Sequence, residues 1–187
     1  MNESLKKYYT IGCCGIDCGL CPRFYTTGDS VCPGCGGLNF KDKHPSCGFI
    51  TCCVKKRGLE VCSECEDYPC KKFEREREGF DSFVTHKKVF SNLDYIKNSG
   101  IDSFINQQKI KMDILSDFLS FYDEGRSKSF FCISCALLPL DRLIQIHEFM
   151  AGIDVEVDIK EKNKLLREKL QTIADVLQID LKLNNKK

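Results

Sequence analysis

The sequence predicts a mainly α fold with small β elements, in which a cysteine-rich N-terminal module packs on a helical domain. Two observations lead to this prediction. Twelve of the 14 cysteines in the 187-residue chain fall between Cys13 and Cys70. From Phe73 onward, apolar residues recur at helical spacing instead. We therefore predict a cysteine-rich module over residues 11–75 and a helical domain over residues 76–187.

Charge and hydropathy narrow the classes of partner. The chain has 28 Lys and Arg residues against 27 Asp and Glu residues, so it lacks the strong positive field that attracts a polyanion. This balance disfavours nucleic acid. No apolar run approaches the roughly 20 residues that a membrane span needs, and the N-terminus lacks the apolar stretch of a secretory signal. We therefore expect a cytoplasmic protein that does not enter a membrane.

The cysteines are numerous and closely spaced. In the reducing cytosol they would not form disulfides, because glutathione and thioredoxin keep thiols reduced there. Three pairs have two residues between their cysteines: Cys18/Cys21, Cys32/Cys35 and Cys62/Cys65. Such a turn presents two sulfurs to one tetrahedral ion. The module has few Leu, Ile and Val residues, so bound metal would supply much of its folding free energy, and we predict a metal-stabilised module.

The segment from Cys32 to Cys35 has the composition of a zinc knuckle. Pro33 fixes the backbone at the entry of the turn, and Gly34 permits the conformation that folds backbone amides under the sulfurs. We expect this pair to be the best formed of the three.

Ten cysteines are the candidate metal ligands: Cys14, Cys18, Cys21, Cys32, Cys35, Cys47, Cys52, Cys62, Cys65 and Cys70. Their spacing allows two arrangements. The nested arrangement has an inner site of Cys32, Cys35, Cys47 and Cys52, and an outer site of Cys14, Cys18, Cys21, Cys62, Cys65 and Cys70. The sequential arrangement has a first site of Cys18, Cys21, Cys32 and Cys35, and a second in which Cys47 or Cys52 joins Cys62, Cys65 and Cys70. We prefer the nested arrangement because it uses all ten.

Zinc is the expected metal, with two ions in the module. Pairwise spacing and knuckle-like turns are typical of closed structural zinc sites. An iron-sulfur centre is the alternative, because the triplet Cys14-x3-Cys18-x2-Cys21 also suits a [4Fe-4S] cluster that a distant cysteine completes.

Four cysteines stand outside this set. Cys13 and Cys53 each adjoin a better-spaced cysteine, so packing as small buried residues and metal ligation are equally compatible with their positions. Cys132 and Cys135 form a further pair two residues apart, but the flanking sequence is apolar and no second pair lies nearby. We expect those two to pack in the core.

The first two predicted helices follow the module. Between Phe83 and Ile96, apolar residues recur every three or four positions with one gap at Lys87, which predicts a helix that Gly100 ends. A second apolar stripe runs from Phe104 to Tyr122 and predicts a longer helix.

The C-terminal third predicts two more helices and two short strands. Pro139 is a plausible first-turn residue of the third helix. Asp158 and Glu161 resemble a capping box at the start of the fourth. The runs 153–157 and 179–183 alternate apolar and polar residues, which predicts strands that pair with each other.

Several motifs together resemble a known family: Cys14-Gly15-Ile16-Asp17-Cys18-x2-Cys21-Pro22, Cys32-Pro33-Gly34-Cys35, Cys47-x4-Cys52, Lys56-x-Gly58 and Cys62-x2-Cys65-x3-Pro69-Cys70. The pattern is similar to an uncharacterised cysteine-rich family of bacteria and archaea, a domain of unknown function. The similarity extends as far as the segment 158–162. It implies metal binding through the ten cysteines above, leaves Cys13 and Cys53 outside the motif, and implies no particular reaction.

A second candidate site is the loop between the second and third helices. Arg126, Ser127 and Lys128 lie between Gly125 and Ser129, so two cations and two hydroxyls occur beside a flexible glycine. This composition can hold a phosphate or a carboxylate. A solvated turn with no ligand is the alternative.

Few residues point to catalysis. Asp17 precedes Cys18 and would serve as an acid or base beside a metal-bound water, or simply cap a turn. Three histidines are scattered along the chain: His44, His86 and His147. Of these, His44 either replaces a thiolate in a mixed site or lies in a surface loop.

Three functions are compatible with these observations. The first is a structural zinc module that acts as a binding or adaptor protein for another protein or a small anionic ligand. The second is a redox or sulfur-handling enzyme that uses an iron-sulfur cluster or a reactive thiolate. The third and weakest is nucleic-acid binding through five basic residues of the module: Lys41, Lys43, Lys55, Lys56 and Arg57. The sequence assigns no reaction.

Overall fold

A computed structural model describes residues 4–44, 47–74 and 79–184 of the chain. Contacts divide it into two compact units. The first unit contains the residues up to Asn106 together with Leu183 and Asn184, and the second runs from Gln107 to Lys182. The module boundary that the sequence places after residue 75 stays a prediction.

The first unit begins with short helical turns. Its 3-10 turns are Cys18–Leu20, Gly28–Ser30, Cys62–Glu64 and Lys71–Phe73. A single α-helical turn, α1, spans Phe40–Lys43, and a π-helix spans Ile50–Lys56. The longer helices α2 (Val89–Ser99) and α3 (Ile101–Phe121) follow, and the division between the units falls within α3.

Helix α2 packs against the second half of the cysteine-rich segment. Val89, Leu93 and Ile96 face the turn at Cys62 and share a buried cluster with Phe73. Burial of these side chains contributes most of the hydrophobic stabilisation in this part of the unit. The Asn92 amide also donates to the Gly15 carbonyl at 3.0 Å, so α2 is joined to the segment by a hydrogen bond.

Helix α2 is shorter than the sequence predicts. It begins at Val89, and Phe83 lies outside it with 65% of its surface exposed. The Asp81 carboxylate accepts the His86 N–H at 2.6 Å, and this local turn occupies the backbone before the helix.

The second unit is helical. It contains most of α3 and the helices α4 (Lys128–Leu137), α5 (Leu140–Ala151) and α6 (Ile159–Val176). Its largest fully buried side chains include Phe118, Phe131 and Met150. The Asp158 carboxylate caps α6 by accepting the Lys160 N–H, which confirms the predicted start of that helix.

The mainly α prediction is confirmed, but the predicted strands do not form. Residues 153–157 form turns, and Val155 is 83% exposed. After α6, Gln178 has a left-handed φ of 55°, and the Ile179 N–H donates to the Ala174 carbonyl. These backbone groups close the helix end, so they are not available to a strand. The described residues contain one isolated antiparallel bridge, between Ile11 and Asp17.

The helices show no membrane-spanning character. None in the described part of the chain combines the length and the apolar composition that crossing a bilayer requires.

Candidate metal centre

Two of the cysteine pairs adopt the same backbone turn. In each, the first cysteine starts a 3-10 turn and the second follows it. The Cys21 N–H donates to the Cys18 carbonyl at 3.2 Å, and the Cys65 N–H donates to the Cys62 carbonyl at 3.0 Å. The dihedral angles agree as well: φ is −84° at Cys21 and −87° at Cys65, with ψ of 135° at both. The segment therefore contains two equivalent Cys-x2-Cys turns.

The third pair, Cys32 and Cys35, forms a tight glycine turn. Gly34 has a φ of +80°, and a Cβ atom at this position would lie 2.3 Å from the Tyr9 carbonyl oxygen. That same carbonyl accepts the Cys35 N–H at 2.7 Å. Only glycine fits this close approach without displacing the Tyr9 backbone.

The first turn and the glycine turn bring four thiols into one neighbourhood. The Cys18 thiol interacts electrostatically with Cys21 and Cys35, and the Cys21 thiol with Cys32. Burial is the main reason that the pKa values of Cys18 and Cys21 are raised, with repulsion from neighbouring sulfurs contributing. The raised pKa values favour the neutral form of the Cys18 and Cys21 thiols.

The π-helix directs two adjacent cysteines towards the second turn. Cys52 and Cys53 both lie within Ile50–Lys56 and both line the cavity described next. A π-helix is rare and is often found at functional sites. Wider winding of this kind changes the direction in which successive side chains point, so the helix contributes two neighbouring thiols to one site.

A cavity of about 70 Å³ lies between the π-helix and the second turn. Half of its ten lining residues are cysteines: Cys52, Cys53, Cys62, Cys65 and Cys70. The remaining lining residues are Arg57, Asp67, Tyr68, Lys72 and Phe73. Burial is the main reason that the pKa of Tyr68 is raised to about 12, which keeps its hydroxyl neutral beside the thiols.

Arg57 brings a positive charge to the cavity. One guanidinium nitrogen, Nη1, donates to the Cys65 sulfur at 3.0 Å, and the other, Nη2, binds the Asp67 carboxylate. The hydrogen bond with Asp67, followed by the charge of Cys65, raises the pKa of Arg57. A cation at this position favours the thiolate form of a cysteine, which is the form that binds metal.

Four thiols lie near one another: those of Cys13, Cys35 and Cys53, which are buried, and that of Cys62, which is half-buried. The Sγ atoms of Cys13 and Cys35 lie 3.8 Å apart, and the Cys13 backbone N–H donates to the Cys35 Sγ at 3.4 Å. The Cys53 thiol lies close enough to the thiols of Cys13 and Cys62 for each to influence the pKa of the other. The order along this chain of thiol contacts is therefore Cys35, Cys13, Cys53, Cys62.

These contacts shift the pKa values of the four thiols in different directions. The hydrogen bond with Cys13 lowers the pKa of Cys35 and is also the main reason that the pKa of Cys53 is lowered. The pKa of Cys13 is raised by its hydrogen bonds with Cys35 and Cys53, and that of Cys62 by its hydrogen bond with Cys53.

A buried lysine accompanies these thiols. Lys6 is 4% exposed, and its Nζ donates to the Ile11 carbonyl at 2.7 Å. Its charge acts on the thiols of Cys18, Cys35 and Cys53. A buried ammonium is costly unless negative groups surround it, and here the groups within range include sulfurs.

The comparisons with known proteins assign part of the chain to a family. Residues 10–75 match the family model described as "Protein of unknown function (DUF3795)". This domain of unknown function covers the cysteine-rich segment. The resemblance drawn from the cysteine motifs is thereby confirmed, although the segment 158–162 lies outside the match. No curated protein and no solved structure matches the chain.

One feature of the DUF3795 segment agrees with the sequential arrangement of the predicted ligands. Cys52 lines one cavity with Cys62, Cys65 and Cys70, whereas the nested arrangement requires it beside Cys32 and Cys35. The remaining two candidates make contacts that the nested arrangement predicts. Cys14 belongs to the cluster of Ile11 and Phe73, against which Cys62 and Cys70 also pack, and Cys47 packs against the cluster that contains Cys35.

The sulfurs of the DUF3795 segment are grouped, but they are not directed at common points. Across residues 4–44, 47–74 and 79–184, no three His, Cys, Asp or Glu side chains have a geometry that could hold a metal ion. Coordination would therefore require side-chain rotations of the cysteines about their Cα–Cβ bonds.

Sequence patterns left the roles of Cys13 and Cys53 open and did not connect Arg57 or Lys6 with this site. Cys13 and Cys53 are central to the chain of thiol contacts although they stand outside the regular spacing. Arg57 follows two lysines and is indistinguishable in sequence from a surface charge. Lys6 precedes the DUF3795 segment and carries no motif, so only its burial reveals it.

The loop predicted to bind an anion is internally hydrogen-bonded. The Asp123 carboxylate accepts the N–H groups of Gly125 and Ser127, both at 2.9 Å. The Ser127 hydroxyl is buried and donates to the Asn163 amide oxygen at 3.1 Å. Arg126 is exposed. An anion would compete with Asp123 for the backbone amides, so the site at Arg126, Ser127 and Lys128 stays a prediction.

The histidines lie in other contacts. His44 is exposed and stacks on Phe40, with ring centroids 4.7 Å apart. The Nε2 atom of His147 lies 2.7 Å from an Asp117 carboxylate oxygen in the second unit, and His86 lies beside Ser82.

The last residues considered in the sequence analysis are two further cysteines and Asp17. Cys132 and Cys135 are buried within α4, in agreement with their predicted core packing. Asp17 precedes the turn at Cys18 and is 8% exposed. Its role as an acid or base stays a prediction.

Proposed function

We propose that the DUF3795 segment is a structural zinc module with two thiolate sites. The first site uses the four thiols of the first turn and the glycine turn: Cys18, Cys21, Cys32 and Cys35. The second uses four of the thiols around the cavity: Cys52, Cys62, Cys65 and Cys70. The observation that carries this proposal is that five cysteines from three separate elements line one cavity.

The cavity fits a soft cation. A volume of about 70 Å³ is several times the roughly 10–15 Å³ that one water-sized probe occupies, so the sulfurs have room to turn onto an ion. Sulfur donors select zinc or an iron-sulfur cluster over hard cations such as magnesium. Arg57 and Lys72 line the same cavity, and their positive charges would offset the excess negative charge of four thiolates.

A structural role is favoured over catalysis. Zinc sites made only of sulfur ligands are usually closed, whereas catalytic sites keep a position for water and commonly include histidine. The imidazoles of His86 and His147 contact Ser82 and Asp117 instead of the cavity thiols. The module would act as a rigid binding or adaptor element for a protein or a small anionic ligand. Its exposed turn at Gly28–Ser30 is a candidate contact.

An iron-sulfur cluster at the cavity is the second candidate. The same observation favours it, because four cysteine thiolates also hold a [4Fe-4S] cluster. It would make the protein a redox or sulfur-handling enzyme. Zinc sites are colourless and clusters are brown, so the two candidates differ in a simple optical spectrum.

The test compares the metal content of matched cysteine variants purified without oxygen. We expect the native protein to contain zinc, and the C65A/C70A variant to lose at least one zinc ion per chain. The C132A/C135A variant, which removes two buried cysteines of the second unit, should retain the full zinc content.

Two outcomes would overturn this proposal. Native protein without bound metal would exclude both candidates. Iron and inorganic sulfide in the native protein, with absorbance near 400 nm, would replace zinc by the cluster.

A further inference from the structure

Lys6 is a buried cation whose charge no carboxylate compensates in the described part of the chain. Its side chain is 4% exposed. The ion pairs among the described residues do not include it. An ammonium has three N–H donors, and within these residues the Ile11 carbonyl accepts from one of them at 2.7 Å. Because a buried charge is costly without an opposite charge nearby, we expect an anion close to this position.

The backbone beside Lys6 is fixed to the glycine that follows Cys35. The Leu5 N–H donates to the Gly36 carbonyl at 2.6 Å, and the Ser4 hydroxyl donates to the same oxygen at 3.0 Å. The aliphatic part of Lys6 passes directly over Gly36, since a Cβ atom there would lie 3.1 Å from the lysine Cγ. Glycine at this position therefore leaves room for the lysine side chain.

The ammonium ends beside the segment that holds the Cys35 sulfur. Its Nζ donates to the Ile11 carbonyl, and two residues later the Cys13 N–H donates to the Cys35 Sγ at 3.4 Å. The lysine side chain thus contacts both segments that position this thiol, one at Ile11 and the other at Gly36. Cys35 is a ligand of the proposed first site, so the buried charge lies next to that site.

Thiolates are the anions that these surroundings can supply. The Glu60 carboxylate lies near this segment, but it accepts the backbone N–H groups of Lys7 and Tyr8. One divalent ion bound by four thiolates carries a net formal charge of about −2, whereas four neutral thiols carry none. A buried cation reduces the free-energy cost of placing that negative charge in the interior.

We propose that Lys6 is the counter-ion of the first thiolate site. Its charge stabilises the anionic form of that site, in which Cys18, Cys21, Cys32 and Cys35 bind one divalent ion. It is a positioning residue, because it acts through the thiolates and does not bind the metal. Lys6 precedes the DUF3795 match, which begins at residue 10, so the charge comes from outside the family segment. This inference rests on the proposed function, because it requires metal at the first site.

The zinc affinity of a neutral variant tests the role of the charge. Lys6→Met removes the buried charge, and Lys7→Met removes an exposed charge from the next residue as the matched control. In competition with a zinc chelator, we expect K6M to bind one of its two zinc ions at least about ten-fold more weakly than native protein, and K7M to bind both normally. Native affinity in K6M would overturn the inference and leave the two sites in place. Metal-free native protein would end the proposed function itself.

The reduction potential of iron-substituted protein distinguishes a charge effect from a packing effect. An iron ion bound by four thiolates has a net charge of about −2 when ferrous and about −1 when ferric, so a nearby cation favours the ferrous state. We expect K6M to lower the potential of one of the two iron ions and K7M to change neither. Weaker zinc binding with unchanged potentials would show that Lys6 only packs against the site, and would overturn the inference.

A second variant covers the case in which K6M does not fold. Lys6→Gln also removes the charge but keeps a donor for the Ile11 carbonyl. We expect the same loss of zinc affinity and the same fall in potential in K6Q as in K6M. Native zinc affinity and native potentials in K6Q would show that the hydrogen bond matters and the charge does not, which would overturn the inference.

Discussion

Removal of metal by a strong chelator is expected to unfold the cysteine module and leave the second unit folded. Among the described residues, the cluster around Cys13, Cys35 and Cys53 has Phe40 and Ile50 as its large fully buried apolar residues, with partly buried residues such as Phe49 packed against it. Its hydrophobic contribution is small, so the metal has to supply on the order of 10 kcal/mol per structural zinc. The helices of the second unit bury their own apolar side chains and do not depend on that contribution.

Hydrogen exchange read by mass spectrometry measures this effect segment by segment. Chelated protein should lose protection over residues 11–60, while residues 128–151 keep theirs. The part of the module that packs on α2 through Phe73 should retain intermediate protection, because it shares a hydrophobic cluster with Leu93. Protection that is unchanged across residues 11–60 after chelation contradicts a metal-dependent fold.

A single methyl group at Gly34 is expected to disrupt the first site. The added Cβ would lie 2.3 Å from the Tyr9 carbonyl oxygen, which also accepts the Cys35 N–H. Alanine at this left-handed position costs about 1–2 kcal/mol for backbone conformation. Displacement of the Tyr9 backbone adds about 1–3 kcal/mol, as overpacking does in cores. The Gly34→Ala variant should therefore be less stable by roughly 2–5 kcal/mol and bind zinc more weakly.

Gly28 is the matched control for this substitution. Its φ of +75° is close to the +80° of Gly34, but a Cβ atom there meets no other atom within 4 Å. Gly28→Ala should therefore show only the conformational cost of about 1–2 kcal/mol and full zinc content. Denaturant titration and metal analysis of both variants measure the difference. Equal losses of stability in the two variants would mean that the contact with Tyr9 is unimportant.

The helical part of the fold was largely predictable from the sequence. Helix α6 follows from its apolar stripe and from Asp158, whose capping bond is a local interaction. The two predicted strands do not form, because alternation of apolar and polar residues does not by itself supply a partner strand. The run at Val155 is exposed, and the run after Gln178 closes the preceding helix. Short alternating runs therefore predict strands only where another segment lies beside them.

The cysteine pairs were predictable, but their grouping was not. Spacing along the chain identifies turns such as that of Cys62 and Cys65, because both ligands belong to one local element. Which turns meet depends on long-range packing. The π-helix was also unpredictable, since no residue pattern specifies it, and it decides that Cys52 lines the cavity with the second turn. Lys6 is a similar case, because its burial follows from tertiary structure alone.

The most direct test of the central claim is X-ray absorption at the zinc edge, measured on protein purified without oxygen. We expect bound zinc with sulfur as its only directly coordinated element, at a distance of about 2.3 Å. Direct coordination by nitrogen or oxygen, or protein that carries no metal on its thiols, would contradict the claim that these cysteines hold the module together through bound ions.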